Sequence, residues 1–230
     1  MLKLICRPIP IRRKPEVETL IFVLEVIGTL SFAVSGAFTA IRKDMDVFGV
    51  AILGLTTAVG GGIVRDLILG ITPPTTFREP MWAIMAIIVS IAVFILVYMK
   101  KLHEHGRVYD TVMLLTDTVG LAAFTIAGIG AATAQMVHYS NFLMIFVGVI
   151  TGVGGGVIRD LFAGDRPYIF VKHVYASASI IGAIVTVFLA PVMGSEISSI
   201  YGMSVIIVLR LLSAHFKWNL PKIPHREEEK

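Results

Sequence analysis

The sequence predicts an all-α polytopic membrane protein with seven transmembrane helices, arranged as two inverted three-helix repeats plus a seventh helix. Three observations predict this. Of 230 residues, 56% are apolar and 16% charged, whereas ordinary soluble domains are about 25% charged. Apolar segments cover 19–41, 47–70, 80–99, 111–134, 141–164, 171–190 and 197–216, and roughly 20 such residues carry a helix across a ~30 Å hydrocarbon layer. Finally, Thr57-Ala-Val-Gly-Gly-Gly-Ile-Val-Arg-Asp-Leu-Ile-Leu-Gly70 recurs as Thr151-Gly-Val-Gly-Gly-Gly-Val-Ile-Arg-Asp-Leu-Phe-Ala-Gly164. Nine of these fourteen positions are identical, and two more exchange Ile for Val.

A soluble helical bundle would need amphipathic helices with one polar face, and Met81–Tyr98 has none. The single Cys6 excludes an internal disulfide framework. The pI near 9.3 does not point to nucleic acid, because the basic residues sit in tails and short loops beside the spans, the pattern of membrane topology. No cofactor is implied.

In chain order, residues 1–18 hold Pro8, Pro10, Pro15 and five basic residues, an irregular tail. Ala33-Val-Ser35 before Gly36 resembles a signal-cleavage site. However, Phe32 and Gly36 align with Phe124 and Gly128 deep in the chain, so these small residues read as packing surface. Segment 1 ends at Arg42-Lys43-Asp44, and segment 2 holds the first copy of the repeated stretch. Ile71-Thr-Pro-Pro-Thr is a turn, since two prolines cannot continue the helix. Segment 3 begins near Pro80, with Trp82 as an interfacial anchor. Residues 100–110 form the connecting loop.

Segments 4–6 repeat segments 1–3. The offset is 92 residues for Glu25 to Asp117, 94 for Arg65 to Arg159 and 93 for Trp82 to Tyr175. The units are therefore 19–99 and 111–190, followed by a seventh helix at 197–216 and a tail at 217–230. A three-span unit leaves the chain on the opposite side of the membrane, so its copy enters upside down. Inverted repeats of this kind place binding or permeation sites where the repeats meet, on interrupted helices.

Lys and Arg counts set the orientation. Loops 1–2, 3–4 and 5–6 carry Arg42, Lys43, Lys100, Lys101, Arg107, Arg166 and Lys172, against Arg78 alone in the other loops. With the basic C-terminal tail, this puts the C-terminus inside and the N-terminus outside. The five basic residues of the N-terminal tail dissent.

Glycine costs a helix about 1 kcal/mol relative to alanine, and three in a row loosen it and strip one turn of side chains. Gly60, Gly61, Gly62 and Gly154, Gly155, Gly156 are thus places where the second and fifth segments bend and offer backbone carbonyls to a cation. Thr57 and Thr151 would add hydroxyl oxygens. Tight helix packing alone is the competing explanation. Buried charge is costlier, roughly 2.5–3.5 kcal/mol per group at the membrane centre. Glu25 and Arg65 lie at similar depths, ~8–9 Å from one end of their helices, and pair as Glu25–Arg65; the second repeat mirrors them as Asp117–Arg159. Asp66 and Asp160 are left to bind a cation, cap a helix or join the network. A purely structural role for these charges stays open. Arg210 is expected at the inner interface.

Other signals are weak. His103-Glu-His105 on a polar loop reads as solvated. No Gly-Lys-Ser/Thr follows the glycines, which excludes a phosphate-binding loop. No nucleophile–base set occurs in the spans, so no enzyme is expected.

Three plus three plus one spans, with Gly-Gly-Gly-x-x-Arg-Asp in spans 2 and 5, resemble the prokaryotic trimeric intracellular cation (TRIC) channel family, whose bacterial members are also described as glycine-transporter-like. The resemblance covers about residues 20–215. It implies a homotrimer in membrane lipid, with one pore per protomer passing monovalent cations, chiefly potassium, along kinked second and fifth helices. The Lys-Glu-Val sequence that animal members use for lipid binding is not found in this chain. The expected function is a potassium-permeable channel of the cell membrane, gated at the glycine runs. The alternative is a secondary carrier of a small amino acid such as glycine, with Arg65 or Arg159 holding the carboxylate.

Overall fold

A computed structural model describes residues 15–99, 106–135, 139–171 and 174–218. The helices among them are α1 (Pro15–Arg42), α2 (Val47–Ile68), α3 (Thr75–Arg78), α4 (Met81–Tyr98), α5 (Arg107–Thr133), α6 (Asn141–Phe162), α7 (Tyr168–Val171), α8 (Ala176–Met193) and α9 (Ser195–His215). Seven of them, all but the single-turn α3 and α7, are long and apolar enough to cross a membrane. The described residues contain no strand.

The local chemistry that starts and stops these helices is itself duplicated. Asp46 caps α2 by accepting from the Gly49 amide at 2.7 Å, and Ser140 caps α6 by accepting from Leu143 at 3.2 Å. Each satisfies one of the orphan N–H groups of a first turn. At the other end, Gly70 and Gly164 both sit at φ +72°, where only glycine is free of Cβ strain. There the Ile71 amide reaches back to the Asp66 carbonyl and the Gly70 amide to that of Leu67. Asp165 and Gly164 do the same to Asp160 and Leu161. This is the Schellman arrangement, which satisfies the last carbonyls of a helix. The final glycine of each repeated stretch is therefore a helix stop.

Three spans start four residues or more from where the apolar runs predict, the others keeping within two residues. α1 starts at Pro15 rather than 19, because proline suits the first helical position. α5 starts at Arg107, inside the expected connecting loop, with Asp110 in its first turn favoured by the helix dipole. The third span of the second repeat is Ala176–Met193 rather than 171–190. Pro191 lies in its last turn, where the amide it lacks leaves only one bond unmade. His103 and His105 lie outside the described residues, as do Lys100, Lys101, Lys172 and most of both tails.

α1, α2 and α4 pack on one another, and so do α5, α6 and α8. The two sets meet through α1 against α5 and α2 against α6, and α9 lies against α8 and α5. α5 is the most buried span, while α4 and α9 are the least. α4 exposes Ile84, Ile88 and Ile95, α8 exposes Ile180, Ile184 and Phe188, and α9 exposes Ile200 and Val208. An apolar surface this large is ordinary only against lipid or another subunit. Within each set the first two spans touch backbone to backbone. A Cβ on Gly36 would lie 2.7 Å from Gly54 Cα, and one on Gly128 would lie 3.0 Å from Gly148 Cα.

Candidate functional site

The two glycine runs face each other where α2 crosses α6. A Cβ on Gly61 would overlap the Thr151 carbonyl oxygen, and one on Gly155 would overlap that of Thr57. Gly154 is close as well, with its Cβ position 3.1 Å from Gly61 Cα, and Gly60 meets the tip of Ile158. Gly62 and Gly156 point elsewhere, the former toward the Arg65 guanidinium and the latter 2.9 Å from the Tyr175 hydroxyl. α2 and α6 remain α-helical through both runs. Unwinding at the glycines is therefore not what this structure holds, because the missing side chains are used to bring the two backbones together.

Thr57 and Thr151 are fully buried and donate at 2.6 Å to the carbonyls of Leu53 and Val147, one turn back. Thr57 packs against Gly36 and Thr151 against Gly128, so both threonines are part of the contact between first and second spans.

Phe32 and Phe124, at equivalent positions of α1 and α5, bring their rings to 5.3 Å with a 58° tilt. Each ring lies against a glycine of the other repeat, Phe32 on Gly120 and Phe124 on Gly28, and Phe32 also reaches Gly155. The sequence had marked these two residues only as aligned positions. Together with the glycine crossing they close the middle of the seam between repeats.

On either side of this closure lies a charge cluster. Toward the end of α2, Arg65 Nη1 is 3.0 Å from Glu25 Oε1 and its Nε donates to Asp66 Oδ1 at 2.8 Å. Asp66 Oδ2 then accepts from the Thr75 amide at 2.6 Å, holding the first turn of α3. Toward the end of α6, Arg159 Nη1 is 2.7 Å from Asp117 Oδ1, and its Nε donates to Asp160 Oδ1 at 2.9 Å. Asp160 Oδ2 accepts from the Tyr168 amide of α7 at 2.8 Å. Both aspartates following the arginines thus join the network and anchor the return of the chain, and each has both oxygens engaged in protein hydrogen bonds.

The clusters differ in depth and membership. The Glu25 side chain is 20% exposed, whereas those of Asp117 and Arg159 are buried. Arg159 also donates to Ser35 of α1, tying one repeat to the other. Arg210 is 4% exposed, stacks over the Tyr175 ring at 4.8 Å and brings Nη2 to 3.9 Å from Asp117 Oδ2. It does not extend to the interface, because a carboxylate and an aromatic face receive it inside the protein. One signal for this residue was available: an unrepeated arginine in a span has no counterpart, so its partner had to come from a cluster already formed.

Beyond the second cluster, a polar cavity of about 170 Å³ is lined by Thr39, Arg42, Lys43, Tyr109, Asp160, Asp165 and Tyr168. Lys43 and Asp165 bridge its rim at 2.6 Å. Burial pushes the Tyr168 phenol above its ordinary pKa, opposed by the neighbouring Arg159, so it remains a neutral hydroxyl here at physiological pH. No metal-binding group of three or more side chains occurs among the described residues.

The family described as "Glycine transporter" matches residues 22–98 and 114–191, one match per repeat. A UPF0126 inner membrane protein of Escherichia coli, YadS, is 38% identical over 89% of this chain and 95% of its own length. YvgT of Bacillus subtilis, a UPF0126 membrane protein, is 34% identical over 86% and 94%. Among solved structures, a chain from work on conductance through TRIC cation channels aligns with a TM-score of 0.77 at 34% identity, covering 89% of this chain and 98% of that one. The trimeric intracellular cation channel orthologue of Rhodobacter sphaeroides aligns at 0.79 and 30%, covering 87% and 100%.

Proposed function

This chain belongs to the TRIC channel family, the family also described as "Glycine transporter", and from that premise we propose that it is a multi-pass cation channel of a cell membrane and not an enzyme. The observation that carries the reading is the likeness to solved TRIC channels over nearly their whole length, joined to a seam between repeats that is flanked at both ends by buried charge. The permeant ions are monovalent cations, chiefly potassium. The conducting unit is a homotrimer with one path per protomer, and the N-terminus is outside.

The path follows α2 and α6 between the repeats 19–99 and 111–190. Thr57, Gly60, Gly61, Gly62 and Asp66 line it from one repeat; Thr151, Gly154, Gly155, Gly156 and Asp160 line it from the other. Glu25–Arg65 and Asp117–Arg159 set the field at its two ends. Where Gly61 and Gly155 touch the opposing carbonyls, no ion passes, so conduction requires α2 and α6 to bend or part at the glycine runs. A glycine turn bends readily because it has no side chain to repack. Parting would expose carbonyls able to replace part of a cation's hydration shell.

A second reading is favoured by the family's own description: a secondary carrier of a small amino acid, with Arg65 or Arg159 pairing its carboxylate. Purified protein in a planar bilayer separates the two. A channel gives unitary current steps whose reversal potential follows the potassium gradient. A carrier gives saturable, counterflow-competent uptake of labelled glycine and no unitary steps, and that result would overturn the channel.

A further inference from the structure

The two charge clusters are equivalent by sequence yet unequal in charge. With every carboxylate ionised, the Glu25 cluster holds Glu25, Asp66 and Arg65, a surplus of one negative charge. The Asp117 cluster holds Asp117, Asp160, Arg159 and, 3.9 Å from Asp117, Arg210. It is neutral. Within the clusters the difference is a single residue of α9, the span that has no counterpart in the repeat; beyond the second cluster Lys43 pairs with Asp165 and Arg42 lies near Asp110, adding no net charge.

Resting on the channel reading, we propose that Arg210 is a rectification-determining residue: by cancelling the surplus negative charge at one end of the path, it makes cation flow unequal in the two directions. Arg210 is tied to the path through a short chain of contacts. It faces Asp117, which binds Arg159, and the Arg159 guanidinium lies 3.7 Å from where a Gly156 Cβ would be. Asp117 Oδ2, Tyr175 Oη and Arg210 Nε are buried and make no hydrogen bond to the described residues. The Arg210 side chain has little freedom to withdraw, being stacked on Tyr175 within the protein.

The physical effect is local enrichment of the permeant ion. One unit charge at ~10 Å in a water-like dielectric changes the local cation concentration about twofold. Cations therefore enter more readily from the Glu25 end, where the surplus stands, than from the Arg210 end. Screening sets the salt dependence. The asymmetry should approach that figure at about 0.01 M salt, where the Debye length is ~30 Å, shrink at about 0.1 M, where it is ~10 Å, and be gone at about 1 M, where it is ~3 Å.

The test uses the full chain in planar bilayers with symmetric KCl, reading the ratio of unitary currents at equal and opposite voltages. Wild type should rectify about twofold at low salt and not at high salt. Arg210→Gln gives both ends the same surplus, and Glu25→Gln removes it from the one end that has it and leaves both neutral, so each variant should bring the ratio close to one. Arg210→Lys keeps the charge and should keep the wild-type ratio. Asp117→Asn with Arg210→Gln leaves Arg159 and Asp160 as a neutral pair and should restore rectification. Glu25→Gln leaves α9 untouched, so it decides the matter even where Arg210→Gln fails to assemble. Unitary currents that do not rectify, or that rectify unchanged in Glu25→Gln, overturn the inference while leaving the channel intact. The absence of unitary currents from wild type overturns the channel reading itself.

Discussion

Arg159 on α6 lies 2.7 Å from Asp117 on α5, both buried, while its equivalent Arg65 lies 3.0 Å from Glu25, whose side chain is 20% exposed. The same motif thus occupies two dielectric settings in one protein. Breaking a buried pair by removing one partner leaves an uncompensated charge and costs about 3–5 kcal/mol. A less buried pair costs less to break, down to about 1 kcal/mol or below at a fully wetted surface. Asp117→Asn should therefore destabilise the protein severalfold more than Glu25→Gln. Thermal unfolding in detergent, followed by the loss of the monodisperse peak in size-exclusion chromatography, reads the difference. Equal losses from the two variants would mean that the burial of the second cluster has no energetic consequence.

The glycine runs make a sharper prediction, because their members are not equivalent. A Cβ at Gly61 meets the Thr151 backbone, whereas one at Gly62 finds only the Arg65 guanidinium, at an ordinary contact distance of 3.9 Å. Forcing an extra carbon into a packed contact costs typically about 1–3 kcal/mol. Replacing an unconstrained helical glycine by alanine gains up to about 1 kcal/mol. Gly61→Ala should lower the unfolding midpoint and Gly62→Ala should leave it unchanged or raise it, with Gly155→Ala and Gly156→Ala both destabilising because each meets an atom within 3 Å. A run acting only as a flexible hinge would instead respond alike at each of its three positions.

Seven spans, the duplication and the Glu25–Arg65 and Asp117–Arg159 proximities were legible in the sequence for one reason. An apolar run with a charge in it forces that charge to find a partner, and a repeat gives the same answer twice. Two features were not legible. The glycines read as places where a helix opens, yet Gly61 and Gly155 bring two helices together. Sequence supplies the missing side chain but not the neighbour that fills its place. Arg210 read as an interfacial residue because its depth, about five residues from the end of α9, suits either role; only the packing of α9 on α5 and α8 decides it. The functions of Gly70 and Gly164 were hidden more simply, since a helix stop and a helix bend both ask for glycine.

Phe32 and Phe124 give the prediction most specific to conduction. Their rings fill the seam beside the glycine crossing and rest on glycines of the opposite repeat. A constriction lined by apolar side chains closes a pore by excluding water rather than by blocking it sterically at every instant. Shortening one ring to alanine would remove contacts worth about 3–5 kcal/mol in a closed core. If conduction follows the proposed path between the repeats, that loss is felt in full in the closed state, whereas opening the path parts the rings beforehand. Phe124→Ala should therefore shift the equilibrium toward conduction, seen as a several-fold rise in open probability in bilayer recordings at unchanged unitary current. Phe124→Leu, which keeps most of the apolar volume, should fall between it and wild type. Reduced open probability in Phe124→Ala would instead place the rings in the support of the open path and move the closure to the Gly61–Gly155 contact alone.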